Sequence, residues 1–166
     1  DDAHLCAIFA GCDDFIRREL WSDGQTVYAY AIDGLVDSGD ISGFLFRPLG
    51  EGKLTGTPEE RYGQAMRGRL WGAVAEPVPN LEAAAQKLVN GYCVLWFPGA
   101  GALAFEVKTS VNRSPSPPEV ENTVKGAKDA FTENVRINTG LLRRHLRTPA
   151  LRLSRVTVGR RSLTAV

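Results

Sequence analysis

Histidine is almost missing from this chain: His4 and His145 stand near opposite ends of its 166 residues. With so few imidazoles, and no Cys/His cluster at zinc-ligand spacing, the sequence offers no zinc centre. Cysteine is scarce and odd in number. Cys6, Cys12 and Cys93 form no C-x-x-C pair, which fits reduced thiols in an intracellular compartment better than a disulfide framework. Long apolar runs are missing too. The longest, Tyr92 to Phe105, is interrupted by Pro98, Gly99 and Gly101 and is too short to cross a bilayer. No G-x-S-x-G, P-loop or H-E-x-x-H is present. The carboxylate pairs Asp13–Asp14, Glu59–Glu60 and Asp37 with Asp40 are accounted for by helix starts, where negative charge suits the dipole. No nucleophile, base and oxyanion donors come together, so the expectation is a non-enzymatic protein with no metal or cofactor.

Acidic residues are absent from Asn134 to the end, while Arg136, Arg143, Arg144, Arg147, Arg152, Arg155, Arg160 and Arg161 all lie there. Residues 1–60 show the reverse, twelve Asp/Glu against four Lys/Arg. The net charge of +1 does not describe a nucleic-acid-binding protein, but the chain is electrically polarised. Two readings follow. The two ends pack near each other, or the basic end faces a partner or anionic lipid. On the second reading Arg143, Arg144, Arg160 and Arg161 lie at an interface and not in the core. Charge complementarity at a helix C-terminus is the competing account of the first two.

What is present alternates between helix and strand. Leu5 to Trp21 reads as a helix, with Ile8, Cys12, Phe15, Ile16 and Leu20 along one face. Val27 to Ile32 is an apolar, β-prone run that predicts a buried central strand. Asp33-Gly34 then gives either a ligand crevice at a strand end or a plain turn with Asp37 as the next N-cap. Asp33, Gly34 and Asp37 are therefore the candidate ligand residues. Ile41, Leu45 and Leu49 face inward from the helix that follows. Thr57-Pro58-Glu59-Glu60 is a capping box opening a helix to about Arg69. Trp71 to Ala75 is a short strand ended by Pro77 and Pro79, and Asn80 caps a helix closed by Gly91. Tyr92 to Phe97 and Ala102 to Val107 form a hairpin. Gly99, Gly101 and Ala104 imitate a dinucleotide fingerprint, but the residues after them are β-prone where that fingerprint needs a helix. Arg113 to Asn122, with three prolines, is an extended crossover.

The organising stretch is Val124 to Leu146. It reads as a helix from an Asp129 N-cap to Arg147, roughly 27 Å long. Phe131, Val135, Leu142 and Leu146 form its apolar stripe, with Asn134, Asn138 and Thr139 on the solvated face. After Pro149, Leu151 and Leu153 alternate with Arg152 and Ser154 as in a strand, and Val156 and Val158 continue out of phase, which a bulge or a break between two short strands near Ser154 explains. The fold class is then α/β: a mixed sheet with helices on both faces, the Tyr92–Val107 hairpin at one edge. Residues 1–158 form one subdomain. Residues 159–166, which repeat the Gly24–Val27 lead-in to the first strand, begin a second α/β unit.

Lys125-Gly126, Phe131, Glu133, Arg136, Asn138-Thr139, Leu141 and Arg143-Arg144 resemble the signature of the A subunits of GerA-type spore germinant receptors. The likeness extends to Gly11–Ile16, to Asp33-Gly34-Leu-Val-Asp37 and to Gly159–Val166. Ala127, Ala130 and His145 depart from it, where Pro, Gly and Arg are usual. The resemblance singles out Gly126, Phe131, Glu133, Arg136 and Asn138 as motif residues. It implies a soluble domain on the core side of the spore inner membrane, joined to the membrane through a region beyond this chain. It also implies a transporter-like B subunit, a lipoprotein C subunit and other A subunits as partners. The implied role is receptor assembly and transmission of the nutrient signal that releases ions. Two other readings remain: a small-molecule or nucleotide-binding domain with its pocket at Asp33-Gly34 or Gly99–Gly101, and the equivalent domain of an accessory spore ion channel.

Overall fold

In the computed structural model, residues 2–22, 24–70, 75–108, 131–158 and 164–165 are described. Helix α1 (Asp2–Ile8) leads into the hairpin of β1 (Phe15–Ser22) and β2 (Gln25–Ile32). The helix expected over Leu5–Trp21 is therefore half helix and half strand. Gly11, at φ 76, takes the left-handed conformation that ends the first half. Beyond it the chain alternates with period two. Ile16 and Leu20 pack against one face of the sheet and Phe15 against the other. Ile16 and Leu20, four residues apart, share a face in either structure, and partial burial of Phe15 on the opposite face of the sheet completes the helix-like pattern.

The sheet has five strands in the order β1-β2-β4-β5-β3, where β3 is Glu76–Val78, β4 Tyr92–Phe97 and β5 Gly101–Glu106. Every pairing in it is antiparallel. This corrects the expected mixed sheet, and it moves the β4–β5 hairpin from an edge to the interior. The edges are β1 and β3. Pro77 lies within β3, tolerated because an edge strand leaves one side of its backbone unpaired. The strand expected at Trp71–Ala75 falls mostly outside the described residues, as do the Arg113–Asn122 crossover, Gly126, Asp129, Arg160 and Arg161.

Helices cover both faces, as expected. On one face Val27, Ala29 and Ala31 of β2 meet Ile41, Leu45, Leu49 and Ala65. These come from a π-helical stretch (Ile41–Phe46), which continues α2 (Ser38–Asp40), and from α3 (Arg47–Gly50) and α4 (Pro58–Met66). On the other face Tyr30 and Ile32 meet Leu5 and Phe9, and Ala84, Ala85 and Leu88 of α5 (Leu81–Val89). Burial on both faces is why β2 reads as one continuous apolar run. The Thr57–Glu60 capping box is present in full, and Asn80 caps α5 through Ala83 N. Asp37 accepts from Gly39 N and Asp40 N and caps α2.

At the amino end, the Asp2 carboxylate takes Nε and NH2 of Arg17 at 2.8 and 2.6 Å and the Tyr30 hydroxyl at 2.8 Å. The Arg17 bonds hold the Asp2 carboxyl down at about 2, against the smaller opposing effect of burial. A carboxyl lowered in the folded state contributes stability above its unfolded value of about 3.9. That contribution is lost as pH falls through about 2. Acid titration of unfolding should therefore show a component between about pH 4 and pH 2 that Asp2→Asn abolishes.

The last helix, α6, runs Val135–His145, not from Asp129. Asn134 is its N-cap, accepting from Arg136 N at 3.0 Å and Ile137 N at 3.4 Å. Asn138 donates from Nδ2 to Thr132 O at 2.7 Å and accepts from Thr132 N at 2.8 Å. The two asparagines thus fix the helix entrance, Asn134 while exposed and Asn138 while partly covered. Phe131 precedes the helix and is 66% exposed, so it does not head a buried stripe. Phe131→Ala should change unfolding free energy by no more than about 0.5 kcal/mol, where a core phenylalanine would cost about 3–5 kcal/mol. Chemical denaturation separates the two. After α6, residues 151–156 run without regular structure. Then β6 (Thr157–Val158) and β7 (Thr164–Ala165) pair as a separate two-stranded ribbon.

Candidate functional site: the docked face of α6

Helix α6 turns an unusual face to the domain. Its buried residues are Gly140 and Arg143, and Arg136 lies one turn before Gly140 on the same side. An i, i+4, i+7 row of Arg, Gly and Arg is the opposite of an apolar stripe. Leu141 and Leu142, where the stripe was expected, are only partly covered, and Leu146 is exposed.

Each residue of this row has a fixed counterpart in the amino-terminal half. Arg136 donates from Nε to Asp33 Oδ1 at 2.6 Å and from NH2 to Ser38 Oγ at 2.8 Å. Gly140 lies against Gly34. A Cβ on Gly140 would stand 2.6 Å from Gly34 O, and one on Gly34, whose φ is +82, would stand 2.8 Å from Arg136 O. Backbone meets backbone here because both positions lack a side chain. Arg143 donates from Nε to Asp14 Oδ2 at 2.7 Å and from NH2 to Asp14 Oδ1 at 2.9 Å. Their side chains are 0% and 3% exposed. Burial works against the Arg143 charge, but the paired bonds from Asp14 outweigh it and hold the guanidinium above its ordinary value. The fork geometry of arginine suits this bidentate pairing as lysine would not.

The chain after α6 continues the attachment. Asp13 N donates to Leu153 O at 2.8 Å, Arg155 N donates to Asp13 Oδ2 at 2.6 Å, and Arg155 NH2 donates to Asp13 O at 3.0 Å. Asp14 and Asp33 thus pair with Arg143 and Arg136, while Asp13 and Arg155 each meet the other's backbone. Of the two readings of the charge asymmetry, the packing of acidic and basic ends accounts for Arg136 and Arg143.

The expected interface residues divide accordingly. Arg143 is interior, correcting its assignment to a surface. Arg144 is exposed. Of the candidate ligand residues, Asp33 takes Arg136 of α6, Gly34 lies against Gly140, and Asp37 is committed as a cap. Glu133 is exposed. Gly99 and Gly101 sit at the β4–β5 turn, and strand β5 follows it where a dinucleotide fingerprint needs a helix. What sequence reasoning missed was the Gly34–Gly140 approach and the partner of Arg143. The available signal was a glycine spaced helically between two arginines, with Asp14 and Asp33 upstream to receive them.

Among the described residues no group of three or more His, Cys, Asp or Glu could hold a metal ion. None of their helices is long and apolar enough to cross a membrane.

Residues 3–166 match the family described as Bacillus/Clostridium GerA spore germination protein. The chain is 31% identical over 148 residues to stage V sporulation protein AF of Bacillus subtilis (strain 168), covering 89% of this chain and 30% of that protein. It is 27% identical over 165 residues to the uncharacterized membrane protein YfkQ of the same organism, covering 98% of this chain and 32% of that one. The chain therefore spans about a third or less of the length of these relatives. Among solved structures it is similar in fold to the N-terminal domain of the A subunit of the Bacillus megaterium spore germinant receptor GerK3. The TM-score is 0.67 at 20% identity, covering 96% of this chain and 58% of that one.

Proposed function

This chain belongs to the GerA family of spore germination proteins, and on that premise we propose that it is a non-enzymatic domain of a germinant receptor A subunit. It takes part in receptor assembly and passes the nutrient signal onward. The protein it belongs to works at the spore inner membrane, with this domain on the core side, alongside a transporter-like B subunit and a lipoprotein C subunit. The observation that carries the reading is where the family-like residues sit. Asp33-Gly34, Asp14, Arg136 and Arg143 dock α6. Among the described residues their side chains are engaged with one another across the contact and do not meet as acid, base and nucleophile. A site built this way does mechanical work: it fixes the position of one helix relative to a sheet.

The docking is polar and backbone-close, so it is directional. A hydrophobic seam tolerates sliding, whereas a bidentate Arg–carboxylate pair and a glycine–glycine contact hold at one register. Displacement of α6 by a neighbouring segment would break these contacts together, which is how a signal crosses the domain without chemistry.

The test uses the full-length protein in spores. Arg136→Gln should leave the protein in spore membranes and recoverable with companion subunits, while nutrient-triggered ion release slows. A full-length protein recovered without companions, or spores of the variant releasing ions at the unmodified rate, would remove the reading.

A further inference from the structure

Near the carboxyl end of α6 lies a cleft of about 240 Å³ lined by Leu35, Val89, Asn90, Gly91, Lys108, Arg144 and Arg147. Three of these side chains are cationic and none is acidic. We propose that this cleft binds a small dianion of the phosphate-monoester class, clasped between the sheet and α6.

The two walls come from different parts of the fold. Lys108 follows β5 and bridges to Val36, and Asn90 and Gly91 close α5. Arg144 and Arg147 belong to α6 and its end. No carboxylate among the described residues pairs with Arg144 or Arg147. Arg147 Nε donates to Arg144 O at 3.1 Å, which leaves the rest of both guanidinium forks for a ligand. Lys108 Nζ is 2.6 Å from Glu106 Oε1, and an ammonium has further donors to give. Three carbonyls at the negative end of α5 are already taken, which blunts its repulsion of an anion. Asn90 N bonds Gln86 O and Lys87 O, Asn90 Nδ2 bonds Gln86 O at 2.7 Å, and Gly91 N bonds Leu88 O. Leu35 and Val89 supply a short apolar wall. Planar guanidinium forks beside an ammonium suit phosphoryl oxygens. A bound dianion would bridge Lys108 to Arg144 and so tighten α6 on the sheet.

This inference stands apart from the receptor reading, since it concerns the 166-residue chain in isolation. The experiment is a thermal-shift titration of that chain with inorganic phosphate against sodium chloride at matched ionic strength. A second arm measures co-sedimentation with phosphatidylcholine vesicles with and without phosphatidic acid. Phosphate should raise Tm in a saturable way, and chloride should not. In Lys108→Gln/Arg144→Gln the apparent affinity should fall at least about tenfold, with Tm in chloride and far-UV circular dichroism unchanged. Lys53→Gln, elsewhere on the surface, should bind as the parent does. Saturation in the vesicle arm alone, lost in the double variant, supports the same chemistry with a lipid headgroup as its source. An equal shift from chloride, no response in either arm, or full binding by the double variant overturns the proposal.

Discussion

Asp14→Ala should lower the unfolding free energy by about 3–5 kcal/mol, the largest effect expected from breaking any one ion pair described here. The cause is what the substitution leaves behind. Arg143 is fully enclosed, and without the carboxylate its guanidinium is a buried, uncompensated charge. Arg143 NH1 reaches Thr148 O only at 3.5 Å, too long to replace two charge-assisted bonds. The loss should not extend to a replacement of both partners. Asp14→Leu/Arg143→Met exchanges a desolvated pair for apolar packing, so its cost should be well below that of Asp14→Ala. Urea denaturation of the parent and both variants measures this directly. Equal losses in the single and double variants would mean that the pair is not the element that holds α6.

Gly140→Ala should also destabilise, against the rule for helix interiors. Alanine is favoured over glycine by about 1 kcal/mol in an exposed helix. Here the new Cβ would stand 2.6 Å from the Gly34 carbonyl oxygen. The obstacle is backbone and not the end of a flexible side chain, so either α6 or the Asp33-Gly34 turn must move. Overpacking of this kind costs about 1–3 kcal/mol, and the displacement would also lengthen the Arg136–Asp33 and Arg143–Asp14 contacts. The expected outcome is a net loss of about 1–2 kcal/mol together with faster amide exchange in α6. A stabilised Gly140→Ala protein would show that propensity wins and that α6 and the Asp33-Gly34 turn are not in close backbone contact.

Much of the fold is legible in the sequence wherever one local rule acts alone. The Thr57 capping box, the Asn80 cap, the Asp37 cap, the inward face of Ile41, Leu45 and Leu49, and the β4–β5 hairpin rest on short-range chemistry. Strand order does not follow from it. Whether a hairpin lies at an edge depends on which distant strands pair with it, and β2 and β3 flank β4 and β5 by long-range choices. The β1 error comes from a window in which helical and strand periods place the same residues inward. The docked helix is hidden for a different reason. Hydropathy alone assigns the apolar side chains of α6 to the core and its arginines to a surface. In this fold the contact surface opposite α6 is the acidic end of the chain. A charged face is therefore the complementary one, and the glycine between the arginines is the position that allows close approach.

Native-state hydrogen exchange of the 166-residue chain tests the central claim, that α6 is built into the domain through Asp14, Gly34 and Asp33. Amides of Leu141 to Leu146 should open with the same free energy as those of β2 from Tyr28 to Ile32, since losing the helix breaks the Arg143–Asp14 and Arg136–Asp33 pairs and releases the Asp33-Gly34 turn that follows β2. Both segments should also lose protection together in Asp14→Ala. Exchange of the α6 amides through a much lower-energy opening, with Tyr28 to Ile32 still fully protected, would contradict the account, because α6 would then be an appended arm and not part of the fold it is proposed to signal through.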